Sequence, residues 1–366
     1  MITELKNLIS LVIDYRGKTP LKLGGDWSSS GYRALSAKNI KTGKIVNPES
    51  IRYVDSNLYS KWMKDEVCRN DIFITSEAPF GEIFFWNSDE KIVLSQRLFA
   101  IRPNTAVIPK YLYYYMTTET FHKELDSRAT GSTVTGLRQP ELLKCKIDVK
   151  LLKEQQHIVN ILGTIDDKIE NNENLVAKIN ESTKLFYINF CNNGFVDDVL
   201  ENYIENYDRQ RKPLSSRERD SLEKIYPYYG ATEVLDYVDN YLFDGDYLLM
   251  GEDGTVADSL GFPIVQRVNE KFWANNHTHI LKAKNGIDNN VLELILKNTN
   301  VQSIITGAVQ PKINQANMNS LKIKVPNDVE TLMKTIVSYF EKRQSLIDEN
   351  KKLNKLKQQY LKKFFN

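Results

Sequence analysis

Several short runs in this sequence resemble pieces of catalytic motifs, and each is incomplete. Gly17-Lys18-Thr19 matches the end of a phosphate-binding loop, but Val12 stands five residues earlier where that loop needs glycine. Asn47-Pro48-Glu49-Ser50 stops short of the Asn-Pro-Pro-Tyr loop with which an adenine methyltransferase holds an extruded base. No glycine-rich strand-to-helix turn for S-adenosylmethionine accompanies it. Asp71 and Glu82 suggest nuclease carboxylates, yet Ile83-Phe84-Phe85 follows without the lysine that chemistry requires. His277-x-His279 has no Cys or acidic ligand close in sequence, and strand alternation points both imidazoles to one side, so packing or a DNA-facing place is expected rather than a metal site. Cys68, Cys145 and Cys191 stand far apart with no C-x-x-C pair, which indicates neither a disulfide framework nor zinc. The expectation is a non-catalytic chain with no cofactor and no metal.

Binding chemistry is better represented. Base edges in the major groove are matched by the forked or amide groups of Arg, Lys, Asn and Gln, while Lys and Ser suit phosphates. In the first half, Ser95, Gln96 and Arg97 form one candidate DNA-binding loop, and Ser132, Thr133 and Arg138 form another. In the second half, Asn275, Asn276, His277, Gln310 and Lys312 occupy comparable places, and Arg209, Arg211 and Lys212 make a local basic cluster suited to phosphate. The bland alternative is that residues 131–136 are a connecting loop and that the basic cluster is a solvated linker.

These residues must be positioned by something, and a tandem repeat supplies it. Thr130-Gly131 recurs as Thr306-Gly307, 176 positions on, and at the same spacing Gln139 recurs as Gln315, Leu142 as Met318, Lys146-Ile147 as Lys322-Ile323, Val149 as Val325 and Glu173-Asn174 as Glu349-Asn350. A weaker echo pairs Asp71-Ile72-Phe73-Ile74 with Asp246-Tyr247-Leu248-Leu249. A chain of 366 residues exceeds one ordinary hydrophobic core, and its 41% hydrophobic and 26% charged residues describe a folding, globular protein. Lys plus Arg number 49 against 47 Asp plus Glu, so any phosphate-binding surface must arise from local clustering. Neither a membrane-length apolar run nor a signal peptide is visible, which points to the cytoplasm.

Each repeat reads as a mixed α and β globular part followed by a helix. Strands are expected at Asp71–Thr75, Glu82–Trp86, Leu98–Ile101, Asp246–Met250 and His279–Ala283, with helices after Ile108-Pro109-Lys110 and from Asn290 to Leu296. From Ile158, apolar residues at Ile161, Ile165, Ile169, Val176, Ile179 and Phe186 share one helical face. Ile336, Phe340, Ile347, Leu353, Leu356, Tyr360 and Phe364 repeat the pattern. Runs of roughly 30 to 40 residues give rods of about 45 to 60 Å. Packing along their apolar faces as an antiparallel coiled coil is the economical arrangement, and folding of each onto its own domain is the alternative. Asn172 falls on an apolar heptad position, where it either fixes register from within or is solvated.

This organisation resembles the specificity subunit of type I restriction-modification systems. Ile13-Asp14-Tyr15-Arg16-Gly17-Lys18-Thr19-Pro20 is similar to the opening of many of its recognition domains. So are residues Gly131 to Leu137 leading into Leu142 and Ile147, followed by Leu151-Leu152-Lys153-Glu154-Gln155-Gln156-His157-Ile158. The second repeat departs from the pattern, being poorer in Ser and Thr between Gly307 and Ile313 and lacking Glu-Gln-Gln after Asn327. The resemblance implies two target-recognition domains, residues 1–150 and 193–326, alternating with conserved helices over 151–192 and 327–366. It further implies one half-site of a bipartite double-stranded DNA target per domain, two methyltransferase subunits as partners, restriction subunits joined through them, and helices that act as a ruler. A stand-alone DNA-binding regulator, a DNA-acting enzyme with an unrecognised site and a coiled-coil scaffold remain as rivals.

Overall fold

The computed structural model describes residues 1–130, 135–307 and 309–365. The chain forms two compact units, one of residues 1–170 with 350–366 and one of residues 171–349. Both are mixed α and β.

The first unit is built on a four-stranded antiparallel sheet of β1 (Ile9–Asp14), β2 (Ile72–Thr75), β3 (Ile83–Phe85) and β4 (Leu98–Pro103), in the order β1-β4-β2-β3. Every residue of β2 is buried, because the sheet is covered on both faces. Ile72, Ile74, Phe99 and Ile101 pack with helix α1 (Pro109–Met116), whereas Phe73, Leu98 and Ala100 face the second cluster around Trp62 and Trp86. Side-chain alternation along the strands thus feeds two cores from one sheet.

In the second unit β5 (Ile204–Asn206), β6 (Tyr226–Tyr229), β7 (Val234–Val238), β8 (Phe243–Gly251), β9 (Val265–Ala274) and β10 (Thr278–Ala283) form a six-stranded sheet. Its order is β5-β10-β8-β9-β6-β7, antiparallel except between β6 and β9. The repeat keeps its spacing in the central strand and lengthens by four residues before the strand paired with it. Ile72 of β2 stands opposite Ile101 of β4, and Leu248 of β8 opposite Leu281 of β10, so Ile72 and Leu248 correspond at the spacing of 176. The echo between Asp71 and Asp246 is therefore one residue out of register.

Two long helices complete the units: α2 (Leu152–Asn192), preceding β5 in the chain, and α4 (Val329–Phe365). Helix α3 (Asn289–Lys297) lies between β10 and α4 and corresponds to α1. Within each unit the α2 and α4 segments run antiparallel. In the first, His157 meets Phe364, and Asp166 pairs with Lys357 at 2.7 Å. In the second, Asn172 Nδ2 donates to Glu349 Oε2 at 2.8 Å, and Phe186 packs on Tyr339. The expected heptad face is buried at Ile158, Ile165, Ile179, Ile336 and Phe340, and Asn172 is buried among those positions rather than solvated. Leu356 is exposed, and Lys357 faces Asp166 and Tyr114 instead.

The helices are tied to their own units by different chemistry. In the first unit Tyr114 of α1 donates its hydroxyl to Asp166 at 2.7 Å. In the second, Glu293 of α3, 2% exposed, takes both Arg343 nitrogens of α4 at 2.6 and 2.8 Å and Lys297 at 2.7 Å. Burial alone pushes the Glu293 carboxyl up, but Lys297 and Arg343 overcome it and hold the group down at about 2. No helix among the described residues is long and apolar enough to cross a membrane.

Candidate nucleic-acid interface

Three segments meet at one end of the central strands in each unit, through main-chain hydrogen bonds. In the first unit the chain leaving β2 meets the turn before β4 where Ser76 N–H donates to Arg97 O at 2.9 Å. Leu137 N–H then donates to Ser76 O at 3.0 Å, bringing in the loop closed by the reciprocal pair Thr130 and Gly136 at 2.9 Å. The second unit repeats every one of these bonds. Glu252 N–H donates to His277 O at 2.9 Å, Ile313 N–H to Glu252 O at 2.9 Å, and Thr306 and Lys312 close their loop at 2.7 and 2.8 Å. Gly307 has φ of +89°, and a Cβ there would drive into the carbonyl oxygen of Gln310, so only glycine makes this turn.

This arrangement gathers most of the residues expected to contact DNA. Gln96, Arg97 and Arg138 are exposed around the first junction, and Asn276, His277 and Gln310 around the second, with Lys312 partly exposed. Ser132 and Thr133 lie outside the described residues. Ser95 and Asn275 are both buried at 6% exposure, and Asn275 Oδ1 accepts from His277 N–H at 2.8 Å, which ties the Asn275 side chain into the turn. Arg97 sits in the left-handed region at φ of +62°, a conformation that disfavours an arginine and points to a position held for its side chain. Arg209 and Lys212 are exposed and form no ion pair among the described residues. Arg211 faces inward: it reaches Glu252 at 2.7 Å and the carbonyl of Thr278 at 2.7 Å.

The two histidines do not share a side. His277 precedes β10 in the turn and is half exposed, whereas His279 lies within the strand and is fully buried. Its Nδ1 is 2.6 Å from Asp208 Oδ2 and its Nε2 is 2.8 Å from the carbonyl of Ile313. Burial pushes the Asp208 carboxyl up, but the bonds from His279 outweigh it and hold the group below the usual range. Asp208, Glu252 and His279 bring one donor atom each within 4.8 Å of one another. Those atoms already face Arg211, the Ile280 amide and the Ile313 carbonyl, so the cluster is a closed polar network.

The first unit solves the same problem with other side chains. Asp14 corresponds to Asp208 by strand pairing, and Arg16 holds it through two bonds of 2.8 and 2.9 Å while donating to Leu137 O at 3.2 Å. Arg16 and His279 thus both reach the carbonyl that starts the segment after the loop. Sequence reading had assigned no part to Asp14, Asp208, Glu77 or Asp253. Glu77 and Asp253 stand 176 residues apart, so the repeat spacing itself carried that signal.

Compared with known structures, the whole chain matches the type I restriction-modification system S subunit from M. genitalium, with a TM-score of 0.54 at 15% identity over 100% of this chain and 96% of that one. Its fold is that of such an S subunit. The family model of the type I restriction modification DNA specificity domain matches twice, over residues 5–181 and 193–358, and the chain belongs to this family. A putative type I restriction enzyme specificity subunit of Haemophilus influenzae is 34% identical over 129 residues, 35% of this chain and 32% of that protein. The MjaVIII specificity subunit of Methanocaldococcus jannaschii is 28% identical over 151 residues, 40% of this chain and 35% of that protein. The matched stretch spans about a third of the length of these curated relatives.

Proposed function

We propose that this chain is the non-catalytic DNA-reading subunit of a type I restriction-modification enzyme, and that it binds a bipartite double-stranded target with one half-site per recognition domain. The observation that carries this reading is the duplicated junction: the same main-chain bonds fix Arg97 in one unit and His277 and Lys312 in the other, with Gln96 and Gln310 beside them in sequence. Arg, Gln and Lys are the side chains that match guanine, adenine and phosphate, and varied residues on a repeated scaffold suit two different half-sites. Residues 1–150 and 193–326 serve as the recognition domains, and the helical stretches 151–192 and 327–366 recruit two methyltransferase subunits, through which restriction subunits join. The work is done in the cytoplasm, on host and invading DNA.

The test is co-expression with the methyltransferase subunit of the same operon, followed by single-molecule mapping of methylated adenines. A split motif that vanishes when this chain is omitted is the expected result. An active methyltransferase that marks the same sites without it overturns the reading.

A further inference from the structure

One acidic side chain stands beside the reading cation in both units, at repeat-equivalent positions that the reading above does not use. Glu77 Oε1 lies 2.9 Å from Arg97 Nε. Asp253, at the spacing of 176, lies 3.2 Å from Lys312 Nζ and 3.4 Å from His277 Nδ1. The partner changes between the units, from arginine to a lysine with a neighbouring histidine, while the carboxylate stays. The pairs are open to water, with Arg97 51% and Lys312 43% exposed, and exposed ion pairs add little to stability. Their recurrence therefore calls for another reason. Among the described residues, each carboxylate sits next to the main-chain bond that fixes the turn, since Ser76 and Glu252 are the immediate neighbours that donate to Arg97 O and His277 O.

We infer that Glu77 and Asp253 are specificity-setting positioning residues, which hold the reading cations in intramolecular pairs that duplex DNA must exchange for its own acceptors. This rests on the DNA-reading assignment. A non-matching duplex offers its phosphate oxygens without base-edge acceptors in the right places, and these compete poorly with a carboxylate already in place. A matching base edge adds directed hydrogen bonds to the exchange, so the carboxylate suppresses non-specific binding more than specific binding. In the second unit Lys312 also reaches Glu252 at 3.4 Å, so loss of Asp253 releases its cation less completely than loss of Glu77 releases Arg97.

The test uses the full chain and a random-sequence duplex pool, read both as bulk affinity across salt concentrations and as the motif enriched by binding. Glu77→Gln and Asp253→Asn are expected to tighten bulk binding roughly threefold to tenfold at low salt and to steepen the salt dependence by about one counterion or more. Enrichment is expected to blur in one half of the motif for each variant. Asp89→Asn, which frees Arg69 from a 2.6 Å pair on the same unit as Glu77, controls for added charge and is expected to change bulk binding less and the motif not at all. Glu77→Gln made in an Arg97→Gln background is expected to give no further gain. Variants that match wild type, or match Asp89→Asn, overturn the inference while leaving DNA reading intact. A wild-type chain that enriches no split motif overturns both.

Discussion

The two units share a backbone and differ in what hangs from it. At the interface the amide of residue 76 or 252, the carbonyl of residue 97 or 277 and the closed loop at 130–136 or 306–312 recur bond for bond. The side chains nearby are exchanged: Arg97 for His277, Gly136 for Lys312, and the Asp14–Arg16 pair for Asp208–His279. Under the helices the contrast is one of polarity. α1 of the first unit is a run of buried tyrosines, and α3 of the second carries a buried carboxylate locked to an arginine. Main-chain geometry is thus the common inheritance, and each unit has found its own way of satisfying the polar groups left over.

The largest effect is expected where that satisfaction is deepest. Arg343→Leu leaves Glu293 buried with Lys297 and the more distant Arg267, at 3.4 Å, as its cations, at a cost of about 3–5 kcal/mol to the second unit. Tyr114→Phe removes one hydroxyl bond from the first, costing about 1 kcal/mol. Chemical unfolding followed unit by unit separates the two, and equal losses would break the comparison. Acid unfolding sharpens it. Because the Glu293 carboxyl is held below its ordinary 4.5, at about 2, its stabilisation is complete above pH about 4.5 and is lost as pH falls toward 2. Glu293→Gln is expected to flatten that limb for the second unit alone, as judged by pH-dependent melting.

Gly307→Ala is expected to open the second loop locally, by at least ~1 kcal/mol. Faster hydrogen exchange at the Thr306 and Lys312 amides, with Thr130 and Gly136 unchanged, reports it. The smallest signal is chemical. Burial pushes the Cys145 thiol up to about 12, and its carbonyl accepts from Leu5 as that of Leu321 does from Leu200. Exposed Cys68 should react with a thiol reagent at once, and Cys145 only as fast as the first unit opens. Prompt labelling of both would show that this packing is loose.

Much of this was legible in sequence. The long helices announce themselves by heptad spacing, unbroken by Gly or Pro after Gly163 in the first and throughout the second, and Asn172 stood out as the polar residue on an apolar face; its burial against Glu349 decides between the two readings that position left open. The loops at 130 and 306 could be aligned by their shared Thr-Gly, and at Gly307 the turn itself requires glycine. What escaped were partnerships across long stretches of chain. Asp208 meets His279, and Asp71, a nuclease candidate by type, is held by Arg102 at 2.9 Å while Glu82 binds Thr42. No local pattern encodes such pairs, because a sheet brings them together after folding. Ser95 and Asn275 looked like readers for a related reason: the polar atom that completes a turn is indistinguishable in sequence from one that meets a ligand.

Because amides and carbonyls place the turns at Arg97 and His277, side chains can be exchanged there without losing the bonds that set the turn, within the limit that the left-handed φ of +62° at Arg97 sets on β-branched residues. A lineage can therefore change a side chain at one junction in a single mutational step without passing through an unfolded ancestor, and can do so in one half of the molecule while the other keeps its old preference.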